Sequence, residues 1–284
     1  HRIFQSLLGE NLNQFIRRVR LEKASAAMLA NPHRTITDIA LDYGFSGSSS
    51  FARAFRAHFG QSPSLWKEKR LNSYATEPVQ NPQGRRQEKP ASPIESAWTL
   101  MGRYPGRDSP QMQWTLTRGA LTGRITIQNL ADMHVAYVRS IGPYKGDAEL
   151  FRQLFDRLFQ WATPHRLLEN PATRILTIYH DNPEITEEEY LRISVCMTIP
   201  ENLQVSGDVG RTILQGGQYA VARFSLKAPE YAIAWQGVYD VWLPESGFLP
   251  DDRPSLELYS RDSESAETGE NLIDICVPVR KLEP

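Results

Sequence analysis

Cysteine is almost missing: the chain has two in 284 residues, Cys196 and Cys276. That is too few, and too isolated, for a disulfide framework or a cysteine-ligated zinc site. His134, His165 and His180 are scattered and add no metal-ligand spacing. No apolar run is long enough to cross a membrane, and the first residues do not read as a secretory leader. The glycines of GDVGRTILQGGQ lack the Lys-Ser/Thr that completes a phosphate-binding loop. No Ser-His-Asp arrangement and no dimerisation coiled coil is evident. These absences lead to an expectation of no metal and no cofactor, in a reducing, cytoplasmic setting. The chain opens on His1 rather than methionine, so a truncated protein is expected.

The net charge is also nearly missing, at −1, but it conceals an asymmetry. Residues 1–70 carry 11 Lys and Arg against 5 Asp and Glu, whereas residues 119–284 carry 15 against 24. A basic amino end suits a polyanion, and an acidic carboxyl end suits something else.

The most informative stretch runs from Thr35 to Pro63. Thr35 and Asp38 make a capping box. Ile36, Ile39, Ala40 and Tyr43 share one helical face. Gly44 suits a left-handed cap, and Ser46 is placed to start the next helix. That helix should bury Phe51, Ala54, Phe55 and Phe59 and expose Ser48, Ser49, Ala52, Arg53 and Arg56. Gly60 and Pro63 end it. A polar, acid-free face with arginines, presented by a short turn, suits the major groove of DNA. Upstream, Asn11 is a plausible cap for a helix over about residues 12–30, striped by Leu12, Phe15, Ile16 and Val19.

Residues 71–118 read as a linker, rich in Pro, Gly, Gln and charge through NPQGRRQEKPASP. Trp98 and Trp114 indicate that part of it packs on a domain. From about residue 119, strand alternation appears. LRISVCMTI puts Leu191, Ile193, Val195, Met197 and Ile199 on one face. This region repeats itself: Tyr179 and Tyr259 lie 80 positions apart, as do Cys196 and Cys276. Each unit reads strand, helix, strand, strand, with helices near 147–162 and 229–242. Two such units can pair about a pseudo-twofold axis with both helices on one face. The other face is then expected to form a ligand groove.

Residues 1–70 resemble the DNA-binding domain of the AraC/XylS transcription regulators. The run DIALDYGFSGSSSFARAFRAHFGQSP and the FIRRVRLEKA helix carry the likeness. That family has two helix-turn-helix units, and here the first is incomplete, with HRIF at the end of its recognition helix. Residues 119–284 resemble the GyrI-like effector-binding domain, through VAYVRSIGPY, YHDNP, WLPESGF, LELY and DICVPV. The pairing is of the Rob type. The expected fold is thus multidomain: an all-α helix-turn-helix domain, then an α+β domain of two strand-helix-strand-strand repeats.

The resemblance implies base contacts from His1 and Arg2 in the first unit and from Ser48, Ser49, Ser50 and Arg53 in the second. Arg53 suits guanine, because a guanidinium donates two hydrogen bonds to O6 and N7. Arg17, Arg18 and Arg20 are either phosphate neighbours or plain surface. In the effector half the resemblance implies a ligand-binding glutamate at Glu257. Alternation in SLELYS turns Glu257 and Tyr259 to one face. Tyr179, Tyr137, Tyr231 and Trp235 are the other candidate ligand residues; any of them can instead be core. A carboxylate among aromatic rings favours an organic cation. The reading is a ligand-responsive transcription regulator, not an enzyme. It binds double-stranded DNA and a small, hydrophobic, cationic effector, and the family implies RNA polymerase as a partner. The alternatives are a GyrI-like hydrolase of an electrophilic compound, with Glu257 as general base, and a ligand-sequestering protein.

Overall fold

A computed structural model describes residues 10–76, 97–103, 112–260 and 270–281. The chain divides into two compact units, one helical and one built on a sheet.

Among the described residues the first unit has four helices: α1 (Leu12–Ala30), α2 (Ile36–Asp42), α3 (Ser48–Phe59) and α4 (Pro63–Thr76). Asn11 caps α1 in a reciprocal box with Gln14, the two backbone amides each meeting the other's side chain. The buried stripe of α1 is Leu21, Ala24 and Met28, a turn beyond the expected one; Leu12 and Ile16 are exposed. Thr35 Oγ1 accepts from the Asp38 amide at 3.1 Å and caps α2. Gly44 is left-handed at φ 76°, and a Cβ there would meet the Arg20 guanidinium. The cap of α3 is Gly47, not Ser46, whose hydroxyl instead donates to Ser50. Ile39, Ala40, Phe51, Phe55 and Trp66 close the core with the α1 residues. Phe51 meets Phe55 edge-on at 5.3 Å, and Phe55 meets Trp66 at 5.6 Å.

The second unit holds β1 (Thr99–Arg103), β2 (Gln113–Arg118), β3 (Leu121–Leu130), β4 (Met133–Ile141), α5 (Ala148–Ala162), β5 (Ile175–Tyr179), β6 (Arg192–Thr198), β7 (Gly210–Leu214) and β8 (Gly217–Leu226). Then come α6 (Tyr231–Gln236), β9 (Phe248–Pro250), β10 (Ser255–Tyr259) and β11 (Asn271–Lys281). Beyond Gln236, α6 continues as a π-helical stretch, Gly237–Trp242, and a last turn, Leu243–Glu245. Part of the segment expected to be linker is structured: α4 runs into it, and β1 and β2 belong to the sheet.

The sheet runs β1-β2-β3-β8-β11-β10-β5-β6-β4-β7, with β9 beside β11. The two repeats are β4-α5-β5-β6 and β8-α6-β10-β11, joined at the centre where β5 and β10 pair antiparallel. The strand before each repeat crosses over: β3 pairs β8, and β7 pairs β4. Only Ala131 and Asp132 join β3 to β4, and only Gln215 and Gly216 join β7 to β8. Such a connection spans about 11 Å at most, whereas β3 and β4 would stand roughly 29 Å apart in a flat sheet. The sheet therefore curls. The two crossovers touch, with the Gly216 amide donating to Asp132 at 2.7 Å.

Curling gives the central strands two buried faces. The inner face carries Val135, Leu176, Ile178, Cys196, Leu214, Tyr219, Val221, Leu256 and Cys276. The outer face packs on helices. Ala136, Ile193, Val195 and Met197 meet Leu154 and Leu158 of α5. Ala220, Phe224, Ile273 and Ile275 meet Ala234, Val238 and Trp242 around α6.

Candidate functional site

Strand alternation sorts the central residues. Leu256, Leu258, Leu176 and Ile178 turn inward, so Glu257, Tyr259, Thr177 and Tyr179 turn outward, toward the helices. The site therefore lies on the helix-bearing face, between α5 and α6. The groove expected on the opposite face is instead apolar core.

Glu257 is at the centre, 1 % exposed. Trp235 Nε1 donates to Oε1 at 2.6 Å. The hydroxyls of Tyr179 and Tyr259 donate to Oε2 at 3.0 and 2.8 Å. Burial pushes the Glu257 carboxyl up, and the three donors oppose that shift by favouring the ionised form. Burial and the nearby carboxylate push both tyrosines well above their usual range, so they stay protonated and donate. Among the described residues no Lys, Arg or His forms an ion pair with Glu257. Aromatic rings enclose it instead. Trp235 meets Tyr179 edge-on at 5.4 Å, Tyr144 lies 5.7 Å from Tyr179, and Phe155 lies 5.9 Å from Tyr259.

Thr177 is the direct cross-strand neighbour of Glu257. Its Oγ1 lies 2.9 Å from the Tyr259 hydroxyl. Since Tyr259 spends its proton on Glu257, Thr177 is the donor in that pair. Tyr239 stacks on Trp235 at 5.9 Å and is tied to Ser255 Oγ at 2.7 Å.

Of the sequence candidates, Glu257, Tyr259, Tyr179 and Trp235 come together. Tyr231 stands nearby; burial, then the Glu257 charge, raises its phenol to about 12. Tyr137 does not join them. It lies on the inner face, with the Arg139 guanidinium 4.7 Å from its ring centroid. Tyr144, Phe155, Thr177 and Tyr239 were missed. Their signal was available for two: Tyr144 lies in the IGPY run, and Thr177 is 80 positions before Glu257.

On α3, Ser48, Ser49, Arg53 and Arg56 are exposed together. Ser50 is turned back, donating to the Gly47 carbonyl at 2.8 Å, so its hydroxyl serves the helix start. Arg18 is neither surface nor phosphate neighbour. It is buried between Glu10 and Glu22, at 2.5 and 3.2 Å. His1 and Arg2 lie outside the described residues.

A family model described as the GyrI-like small molecule binding domain matches residues 124–280, more than half of the chain. The chain belongs to the GyrI-like family. A second model, a helix-turn-helix domain, matches residues 1–69. This GyrI-like protein is 32% identical over 163 residues to a DNA gyrase inhibitor of Edwardsiella piscicida, covering 56% of this chain and 99% of that one. It is 31% identical over 163 residues to the DNA gyrase inhibitor of Edwardsiella ictaluri (strain 93-146), with the same coverage of 56% and 99%. A solved EcmrR–DNA complex is similar at 16% identity and a TM-score of 0.45, covering 56% of this chain and 58% of that one. With a helix-turn-helix domain ahead of its small-molecule domain, the GyrI-like chain is a ligand-responsive transcription regulator. No helix among the described residues is long and apolar enough to cross a membrane.

Proposed function

We propose that the GyrI-like domain binds a bulky organic cation against Glu257 and that α3 reads DNA through Arg53, Ser48 and Ser49. The observation that carries the first part is a carboxylate buried to 1 % exposure, beside aromatic rings rather than a cationic side chain. An isolated buried charge is costly. Three donors offset part of that cost without neutralising it. A cation supplies the missing charge, and the ring faces of Tyr179, Tyr144 and Trp235 attract it further. Tetraphenylphosphonium, an aromatic cation with no N–H to satisfy, is the probe. Titration calorimetry of the full chain should show binding that Glu257→Gln weakens. Binding unaffected by that substitution would move the site elsewhere.

DNA recognition rests on the exposed Ser49–Arg53–Arg56 face of α3 and on the basic balance of residues 1–70. Binding should weaken steeply with salt, because phosphate contacts release counterions. The pairing of the two domains favours a cytoplasmic regulator that acts through RNA polymerase, which in vitro transcription tests directly. The relatives are named DNA gyrase inhibitors, so a supercoiling assay on the full chain is the companion measurement.

The site favours sensing over catalysis. The three donors to Glu257 favour its ionised form and so lower its strength as a general base. The other acid–base pair is Ser194 with His180, 2.9 Å apart on the inner side. Ser194 is 1 % exposed, and burial beside Arg139 and Arg192 drops His180 to about 3. Such a histidine is a poor base. Release of product from an electrophilic ester in the presence of the full chain would overturn the sensing reading.

A further inference from the structure

Glu257 is shut in by its donors. On the proposed function, a cation reaches it only by displacing one of them. Tyr179 and Tyr259 stand on the sheet, but Trp235 stands on α6. Two residues after Trp235 the helix changes winding, and Gly237–Trp242 forms a π-helical stretch. Such stretches are rare, and they cluster at functional sites.

Gly237 opens that stretch with ordinary helical angles, φ −58° and ψ −39°. Its missing side chain is therefore not about backbone freedom. It is about approach: a Cβ would fall 2.6 Å from Cζ2 of Trp98. The Trp98 ring is pressed against the backbone of the helix that carries Trp235. Its indole N–H is buried and makes no hydrogen bond among the described residues. The Arg118 guanidinium lies 5.9 Å from its ring centroid. Packing and this cation–π contact hold the ring, so it can leave its seat without breaking a hydrogen bond. In sequence, Trp98 directly precedes β1 and follows residues 77–96, which join the helical unit to the sheet unit.

We propose that Trp98 is the output contact of the ligand site. When Trp235 leaves Glu257, the π stretch re-registers, Gly237 shifts under the Trp98 ring, and the start of β1 moves where the connecting segment enters. This rests on the placement of the ligand at Glu257. It adds which residue passes ligand occupancy toward the DNA-binding unit.

The test is fluorine NMR on the full chain labelled with 5-fluorotryptophan. Trp98→Phe and Trp235→Phe assign the two signals, and Gly237→Ala marks the position of a displaced Trp98. The site is disturbed from within by Glu257→Gln and from outside by tetraphenylphosphonium. Either disturbance should move the Trp98 signal by more than its linewidth, toward the Gly237→Ala position. A Trp98 signal unmoved while that of Trp235 shifts overturns the proposal. If Glu257→Gln moves both signals and the cation moves neither, the output contact stands and the cation assignment falls. Should Glu257→Gln not fold, Trp235→Phe breaks the same helix contact, and the Trp98 signal is read in the same way.

Discussion

The two repeats of the sheet unit share one backbone plan and differ in what they place at the centre. From the helices onward, counterparts lie 80 positions apart: Phe155 and Trp235, Phe159 and Tyr239, Ile175 and Ser255, Thr177 and Glu257, Tyr179 and Tyr259. Their contacts match as well. Phe155 meets Tyr259 edge-on at 5.9 Å, as Trp235 meets Tyr179 at 5.4 Å. Phe155 and Phe159 lie 5.8 Å apart, Trp235 and Tyr239 5.9 Å. From its helix the first repeat supplies rings without polar atoms, Phe155 and Phe159, and from its strand the neutral Thr177 hydroxyl and the Tyr179 phenol. The second supplies an indole N–H, a phenol, a serine and the carboxylate. Duplication thus built a symmetric aromatic cradle, and one half alone acquired the charge. A symmetric cradle with one carboxylate suits a single monovalent cation.

The largest effect should come from restoring symmetry. Thr177→Glu places a second carboxylate directly across from Glu257. Two buried like charges cannot both stay ionised, so at neutral pH the loss of stability should be on the order of 3 kcal/mol or more. Acidic pH should relieve much of it. Thermal melts at two pH values check this, and equal losses at both would mean that the new side chain escapes to solvent.

Next in size is Trp235→Phe, which makes the second repeat resemble the first. It deletes one charge-assisted donor and should leave Glu257 about 1.5–3 kcal/mol less well held. The Glu257 carboxyl should then titrate higher still. The Glu257 carbonyl-region infrared band, followed against pH, reports that shift.

A pH effect of known sign follows for the wild type. The Glu257 pKa is raised on folding, so its contribution to stability is present at low pH and lost as pH rises through the folded value. Cation affinity runs the other way, since it needs the carboxylate. Calorimetry across pH should show affinity climbing to a plateau with a midpoint above the usual glutamate range. His180 has the opposite linkage. Its folded value of about 3 against 6.5 means that stability falls as pH drops between those values.

The smallest effect lies in the helical unit. Arg53→Ala should cost about 1–3 kcal/mol of DNA binding and relax preference at one base position. A loss equal across all sequences would make Arg53 a phosphate contact instead.

Much of this was legible in the sequence. The 80-residue spacing located both repeats, and alternation put Glu257 beside Tyr259. Alternation could not say which face the helices cover. Both faces of β5 and β10 are buried, because β3 and β7 exchange partners and curl the sheet. Leu256 and Leu258 were therefore as good a guess for the helix side as Glu257. That exchange leaves no trace in hydropathy, and it also explains Tyr137, which alternates onto the inner face. Arg18 reads in sequence as surface or phosphate neighbour, because Glu22, one turn on, and Glu10, before the helix, look like ordinary surface charge, whereas the three are buried as an ion triad. Ser50 was placed on the DNA-reading face, but a serine three residues past a helix cap can also turn back to its carbonyl.

The central claim is that charge at Glu257, rather than the shape of the cradle, selects the ligand. Calorimetry of the full chain and of Glu257→Gln, with tetraphenylphosphonium and with a neutral triaryl compound of similar size, tests it. The account predicts that the substitution weakens the cation by roughly 2 kcal/mol or more, leaves the neutral compound little changed, and does not lower the melting temperature at neutral pH. Equal loss for both compounds, or an intact cation affinity with a falling melting temperature, would contradict it.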